Sequence, residues 1–171
     1  VDIKNVNVNL AEGTLTAKGK LKDYLKAQQF VFDGQMDGVL VERLIDQTNL
    51  PAKAQGQIKG NFHVLGAGFA PEALKQSLHG NGHVEMVEGK LVGRNILKLI
   101  VDALSMIPQA QEKIDQNLPQ QYKDILKSPD TVLNKVTADM TLQGDTIVVK
   151  PVEVEAQGFL MQGSSEVNFE Q

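Results

Sequence analysis

Over most of its length this chain alternates apolar and polar residues with a period of two. Successive strand residues point to opposite faces, so this pattern makes an antiparallel sheet with water on one side and apolar side chains on the other. Val6, Val8 and Leu10 share a face, with Asn5, Asn7 and Asn9 opposite. After an Ala11-Glu12-Gly13 turn, Leu15, Ala17 and Leu21 alternate with Thr14, Thr16, Lys18, Lys20 and Lys22, and Phe30 and Phe32 mark the next strand. From Ala52 to Gly66, Ala54, Ile58, Phe62 and Val64 stand against Lys53, Gln55, Gln57, Lys59, Asn61 and His63. Gly80, Gly82, Val84 and Met86 then oppose His79, Asn81, His83 and Glu85. Val136, Ala138, Met140 and Leu142 alternate with Thr137, Asp139 and Thr141, and a Gly144-Asp145 turn leads to Thr146–Val149. Last, Phe159, Met161, Val167 and Phe169 face away from Leu160, Gln162, Ser164, Glu166 and Asn168. A parallel sheet buried on both faces would show unbroken Val/Ile runs, and none appears. Pro151 predicts a bulge or an edge between Val149 and Val152.

Helical periodicity is confined to a few segments. Leu40–Gln47 is one, and Pro71–Leu78 opens with Pro at a first-turn position. Asn95–Ile107 is the longest, ended or kinked by Pro108, and a shorter helix runs from about Pro119 to Leu126. Residues 95–127 thus form a helical insert between two groups of strands. Two stretches, Phe32–Ile45 and Val87–Ile100, repeat one pattern: an apolar residue, an acid, Gly, and a second Gly four residues on, then a run ending in a base, Leu and Ile. Each copy predicts a hairpin with an acid-Gly turn followed by a helix start. The fold class expected is α+β: a twisted, mainly antiparallel sheet of about seven or eight strands built from repeated hairpin-helix units. Its helices are expected on the apolar face or at one end.

Composition narrows the function. The 171 residues suit a single domain, 1–171, and their starting point in mid-pattern reads as a piece of a longer protein. A formal charge of -4 argues against a nucleic-acid partner. The absence of cysteine excludes disulfides and a thiol nucleophile. Gly66-Ala67-Gly68-Phe69-Ala70-Pro71 lacks the third glycine of a dinucleotide loop, and Gly80-Asn81-Gly82 precedes a strand where phosphate loops open a helix, so no nucleotide is expected. Ser164-Ser165 has no nucleophile elbow around it. His79 and His83 lie roughly 13 Å apart along a flat strand, too far to share one ion, so the histidines read as solvated and no metal or other cofactor is called for. The chain reads as non-enzymatic.

The run Leu78-His79-Gly80-Asn81-Gly82, followed by a strand, Glu88-Gly89, Leu91, Gly93 and an apolar helix, resembles the C-terminal region of the AsmA-like family. The Gly34–Ile45 copy, the Pro51–Gly66 strand and the Gly158–Gly163 segment fall in that family's order, so the resemblance covers most of Phe30 to Gly163. Asn95 and Val39 depart from it, standing where small or apolar residues are usual, and the family's N-terminal membrane anchor is not in this sequence. The resemblance implies a Gram-negative envelope protein, anchored in the inner membrane, that projects a long β-groove into the periplasm. It implies roles in outer-membrane assembly and in bridge-like movement of phospholipid, with phospholipid acyl chains and envelope proteins as partners.

Two readings of the apolar face follow. In the plainer one, Leu40–Gln47 and Asn95–Ile107 cover it as a core, and Asn95–Ile107 overlies the central strands. In the other, part of the face stays open as a lipid groove, with Phe30, Phe32, Phe62, Val64, Val84 and Met86 as the candidate lining. A different class of function is a scaffolding module that binds protein partners through exposed sheet edges.

Overall fold

The computed structural model describes residues 1–23, 25–46, 53–107 and 109–168. Phe169 and the segment 47–52 lie outside them. One eight-stranded sheet dominates: β1 (Asp2–Leu10), β2 (Gly13–Lys22), β3 (Gln29–Leu40), β4 (Ala54–Ala67), β5 (His79–Leu91), β6 (Thr131–Gln143), β7 (Thr146–Ala156) and β8 (Phe159–Asn168). Strand order in the sheet is strand order in the chain, and each neighbouring pair is antiparallel. The fold is thus a mostly-sheet α+β meander, as the alternation requires. Ala11 and Glu12, both at positive φ, make the first turn, and β7 bulges between Val149 and Val152, at Pro151.

The repeat folds differently from the expected hairpin. β3 runs unbroken through Asp33-Gly34, because β2 and β4 take its ladder bonds on both sides, pairing Lys18 with Asp33 and Asp33 with His63. β5 also continues through Glu88-Gly89 to Leu91, but over a bulge, with Glu88 at φ of 54°, so the two copies differ at this pair. What the copies share is their exit. Gly38, at φ of 67° in a bulge of β3 between Met36 and Val39, and Gly93, at φ of 70° in the turn after β5, precede helices that begin at the matched positions Val41 and Ile96.

Among the described residues five helices occupy the connections: α1 (Val41–Ile45), α2 (Pro71–Ser77), α3 (Ile96–Ser105), α4 (Ala110–Asn117) and α5 (Gln120–Lys127). α4, whose apolar residues are sparse, falls within the expected helical insert 95–127 but was not expected as a separate helix. By the meander, α1 and α3–α5 sit at one end of the sheet and α2 at the other. They do not cover the apolar face. α1 and α2 pack against β4, while α3 packs on α4 and α5, and no residue of α1, α2, α3 or α5 is buried. Leu99 and Ile107 of the α3 segment stay more than half exposed, at 57% and 55%.

The reason lies in how the insert is tied down. Asn95 caps α3 by accepting from the Lys98 amide at 2.8 Å, and its side-chain amide donates to the Ile125 and Ser128 carbonyls, both at 2.7 Å. The Thr131 hydroxyl accepts from the Ile96 amide at 2.8 Å and donates to the Arg94 carbonyl at 2.7 Å. Asp130 accepts from the Gly93 amide at 2.7 Å and pairs with Lys90 at 3.2 Å. These bonds hold its carboxyl below the ordinary carboxylate range, the Gly93 amide contributing most. Asn95 and Thr131 are buried. The clasp ties the start of α3 to the α5–β6 corner.

Few residues are buried. Among the described hydrophobic residues only Phe30, Val39, Leu133, Ala138 and Ala156 are, and Val39, Leu133 and Ala156 sit toward the helical end. A compact monomer of 18.7 kDa should expose about 8,300 Å². This chain exposes 11582 Å². The excess is what a single sheet layer without a second layer over it leaves uncovered.

Asn95→Ala should loosen the insert alone, since it removes the cap and orphans two carbonyls, at a cost of about 1–3 kcal/mol. Hydrogen exchange should show protection falling in α3, α5 and the start of β6, with β2–β4 unchanged.

Candidate functional site

Cross-strand register builds the apolar face row by row. One row reads Ile3, Gly19, Phe32, Val64, Gly80, Leu142, Ile147, Val167. The next reads Val6, Ala17, Gly34, Phe62, Gly82, Met140, Val149, Ser165. A third reads Val8, Leu15, Met36, Gly60, Val84, Ala138, Val152, Gly163. A fourth carries Val39, Ile58, Met86, Val136, Val154 and Met161. Directly opposed residues share a face, so the apolar surface is continuous from β1 to β8, a width of roughly 34 Å.

Bulky side chains on this face lie over glycines of the next strand. The Phe62 ring occupies the space a Cβ on Gly34 would take, and the Phe32 ring does the same at Gly19. A Cβ on Gly66 would meet the Phe30 ring at 2.6 Å, and Cβ atoms on Gly80 and Gly60 would each lie 3.1 Å from a methyl of Val64 or Val84. The rings therefore lie flat along the sheet and fill the shallow places the glycines leave. This is how the face stays smooth without a second layer.

All six candidates predicted from the sequence fall on this face. Phe32, Phe62, Val64, Val84 and Met86 are half-buried, so each keeps a side open. Phe30 is buried at 6% exposure, because Phe69 stacks on it with ring centroids 5.9 Å apart and planes at 11°. Phe69, in the β4–α2 connection and itself 54% exposed, was not among the candidates. Its only signal was a lone aromatic after Gly66-Ala67-Gly68. Met36, Met140, Val149 and Val152 complete the open part of the surface and belong with the candidates.

The opposite face is polar and pairs with itself. His63 Nδ1 lies 2.7 Å from Asp33 Oδ1, and His83 Nδ1 lies 2.7 Å from Asp139 Oδ1, each across one strand boundary. The His63 contact holds the Asp33 carboxyl below its ordinary range. His79 Nδ1 lies 2.9 Å from the Ser77 carbonyl. The three histidines, expected to be solvated, lie on this exposed face and each has a partner there. Among the described residues no three His, Asp or Glu side chains are placed to share an ion. A cleft of about 830 Å³ opens between β1, β2 and β3, lined largely by Lys4, Lys18, Lys20, Lys22, Asp2 and Asp33. Ile3 and Gly19 line it as well, so it borders the first apolar row. No described helix is long and apolar enough to cross a membrane.

No family model, curated protein or solved structure matches this chain.

The fit between glycines and bulky neighbours has a direct test. A Cβ on Gly80 would stand 2.6 Å from the His63 carbonyl oxygen, so Gly80→Ala must shift the β4–β5 ladder, at about 1–3 kcal/mol. Gly163, with nothing within 4 Å of its Cβ position, should accept Ala with no loss. Thermal unfolding of the two variants should separate them clearly.

Proposed function

We propose that this chain is a non-enzymatic lipid-handling segment, whose apolar sheet face takes phospholipid acyl chains. The observation that carries the reading is the uncovered face. Rows of Phe, Val, Met and Ile run across eight strands, yet their central members are only half-buried. An exposed apolar surface of that extent is rare on a soluble protein and marks a binding surface. A dozen methylenes resting against it, each losing about half of its hydration, would contribute on the order of 5 kcal/mol without any polar contact. No catalytic group is needed for this task.

The resemblance to the AsmA-like family supplies the setting: a periplasmic groove on an inner-membrane-anchored protein, serving phospholipid transfer and outer-membrane assembly. In that setting the matched exits at Gly38 and Gly93 are module boundaries, at which the sheet grows by further strands while helices gather at its end. The long alternation of the strands, and the lack of a covering helix among the described residues, favour a surface that continues along its own plane.

Phe62 gives the decisive variant. It lies between Gly34 and Gly82, with an open side, so a carboxylate there can reach water. In the parent protein, Phe62→Asp should leave circular dichroism and abundance unchanged while co-purified phospholipid, measured by mass spectrometry, falls sharply. A variant that unfolds would mean the face is a packed core, since an unpaired buried charge costs several kcal/mol.

A further inference from the structure

One stretch of the wet face carries a local excess of positive charge. Lys18, Lys20 and Lys22 stand at alternate positions of β2, roughly 7 Å apart, opposite Asp33, Val31 and Gln29 of β3. β2 is an interior strand, so these lysines stand on a face and not along an edge. β1 adds a fourth lysine through its bulge. Lys4 and Asn5 both lie against Lys18, between the pairs Ile3–Gly19 and Val6–Ala17, and Asn5 takes a φ of 77° there. All four lysines line the cleft of about 830 Å³ between β1, β2 and β3. None of the four is in an ion pair among the described residues, whereas Lys90, Lys98, Lys127 and Lys135 each have a carboxylate partner. Of the two acids in the cleft, Asp33 is engaged by His63 at 2.7 Å, which leaves Asp2. The cleft is therefore positive on a chain whose formal charge is -4.

A second cleft, of about 420 Å³, continues from the first and shares Asn5, Lys18 and Asp33 with it. On the wet face its further lining is Thr16, Gln35, Asn61 and His63. The side chains of Asn5, Gln35 and Asn61 bond to no other described residue, so their amides are free to donate and accept. The two clefts make one trough, cationic at one end and rich in amide groups at the other. Its size is that of a small-molecule site.

Lysine is a compact charge without the fixed fork of arginine, so it selects by charge more than by shape, and a phosphate dianion gains more from a cluster of lysines than a carboxylate does. Side-chain amides pair with hydroxyl groups. We infer that the trough binds a phosphorylated sugar or polyol, its phosphate among Lys4, Lys18, Lys20 and Lys22 and its hydroxyls along Asn5, Gln35 and Asn61. The site lies on the face opposite the proposed acyl-chain surface and does not rest on that reading. The ester can come free in solution or as the headgroup of a lipid.

Sorbitol phosphate is titrated into the isotope-labelled protein at low salt, beside sorbitol and inorganic phosphate, and backbone amides are followed by NMR. Signals of β2 around Lys18, β3 around Asp33 and β4 around Asn61 should shift, with an affinity at least about tenfold above that for either component alone. Lys18→Gln combined with Lys20→Gln, checked for native circular dichroism, should lower that affinity at least about tenfold. Gln35→Ala combined with Asn61→Ala should bring sorbitol phosphate down to the level of inorganic phosphate. Vesicles distinguish the sources. A response of the same signals to phosphatidylglycerol above phosphatidylserine, which carries equal charge, assigns a lipid headgroup, and a response to sorbitol phosphate alone assigns a soluble ester. Inorganic phosphate binding as tightly as sorbitol phosphate would overturn the inference, and so would shifts that survive loss of both lysines. No response in these strands to either ester would overturn it as well.

Discussion

The structure depends on one interaction, the bulky side chain of one strand lying across a glycine of the next. A sheet normally needs a second layer to bury its apolar face. This one has none over its centre, and the ladder alone does not hold eight strands flat against water. Phe32 over Gly19, Phe62 over Gly34 and Val64 against Gly80 let neighbouring strands bury part of each other's apolar surface within a single layer. Each such contact removes one side of a ring or methyl from water and leaves the other side exposed. The sheet is therefore held together laterally while its face stays available, which links the fold to the proposed function.

The polar features serve the ends of the sheet. The Asn95–Thr131–Asp130 clasp satisfies the start of α3 and the chain's return into β6 with buried hydrogen bonds. Buried polar groups of this kind are costly to leave unpaired, so the clasp fixes where the insert sits. On the wet face, His63 with Asp33 and His83 with Asp139 pair across strands, and with side chains 40–57% exposed they set register more than they add stability.

The strands were legible because a half-buried strand has a period of two, and Phe62, Val64, Val84 and Met86 share a face by that period alone. The helices α1, α2, α3 and α5 were legible from their periodicity and Pro punctuation. Three things were not. A helix in a connection can fold over a face or stay at its edge, and that depends on the hydrogen bonds of Asn95, whose capping position before an apolar run was the only available sign. The acid-Gly pairs suggested turns because acids and glycines are common in turns, but partners on both sides keep Asp33-Gly34 extended. The cover on Phe30 comes from Phe69, thirty-nine residues away, and no local pattern reports such a contact.

Site-specific photo-crosslinking in the parent protein tests the open face most directly. A photoreactive side chain at Val64 or Met140 lies on the apolar rows, and one at Leu65 or Thr141 lies on the opposite face of the same two strands. Phospholipid adducts should form from Val64 and Met140 and be absent from Leu65 and Thr141. Equal labelling of both faces, or no lipid adduct at Val64 and Met140, would contradict an acyl-chain path along this sheet.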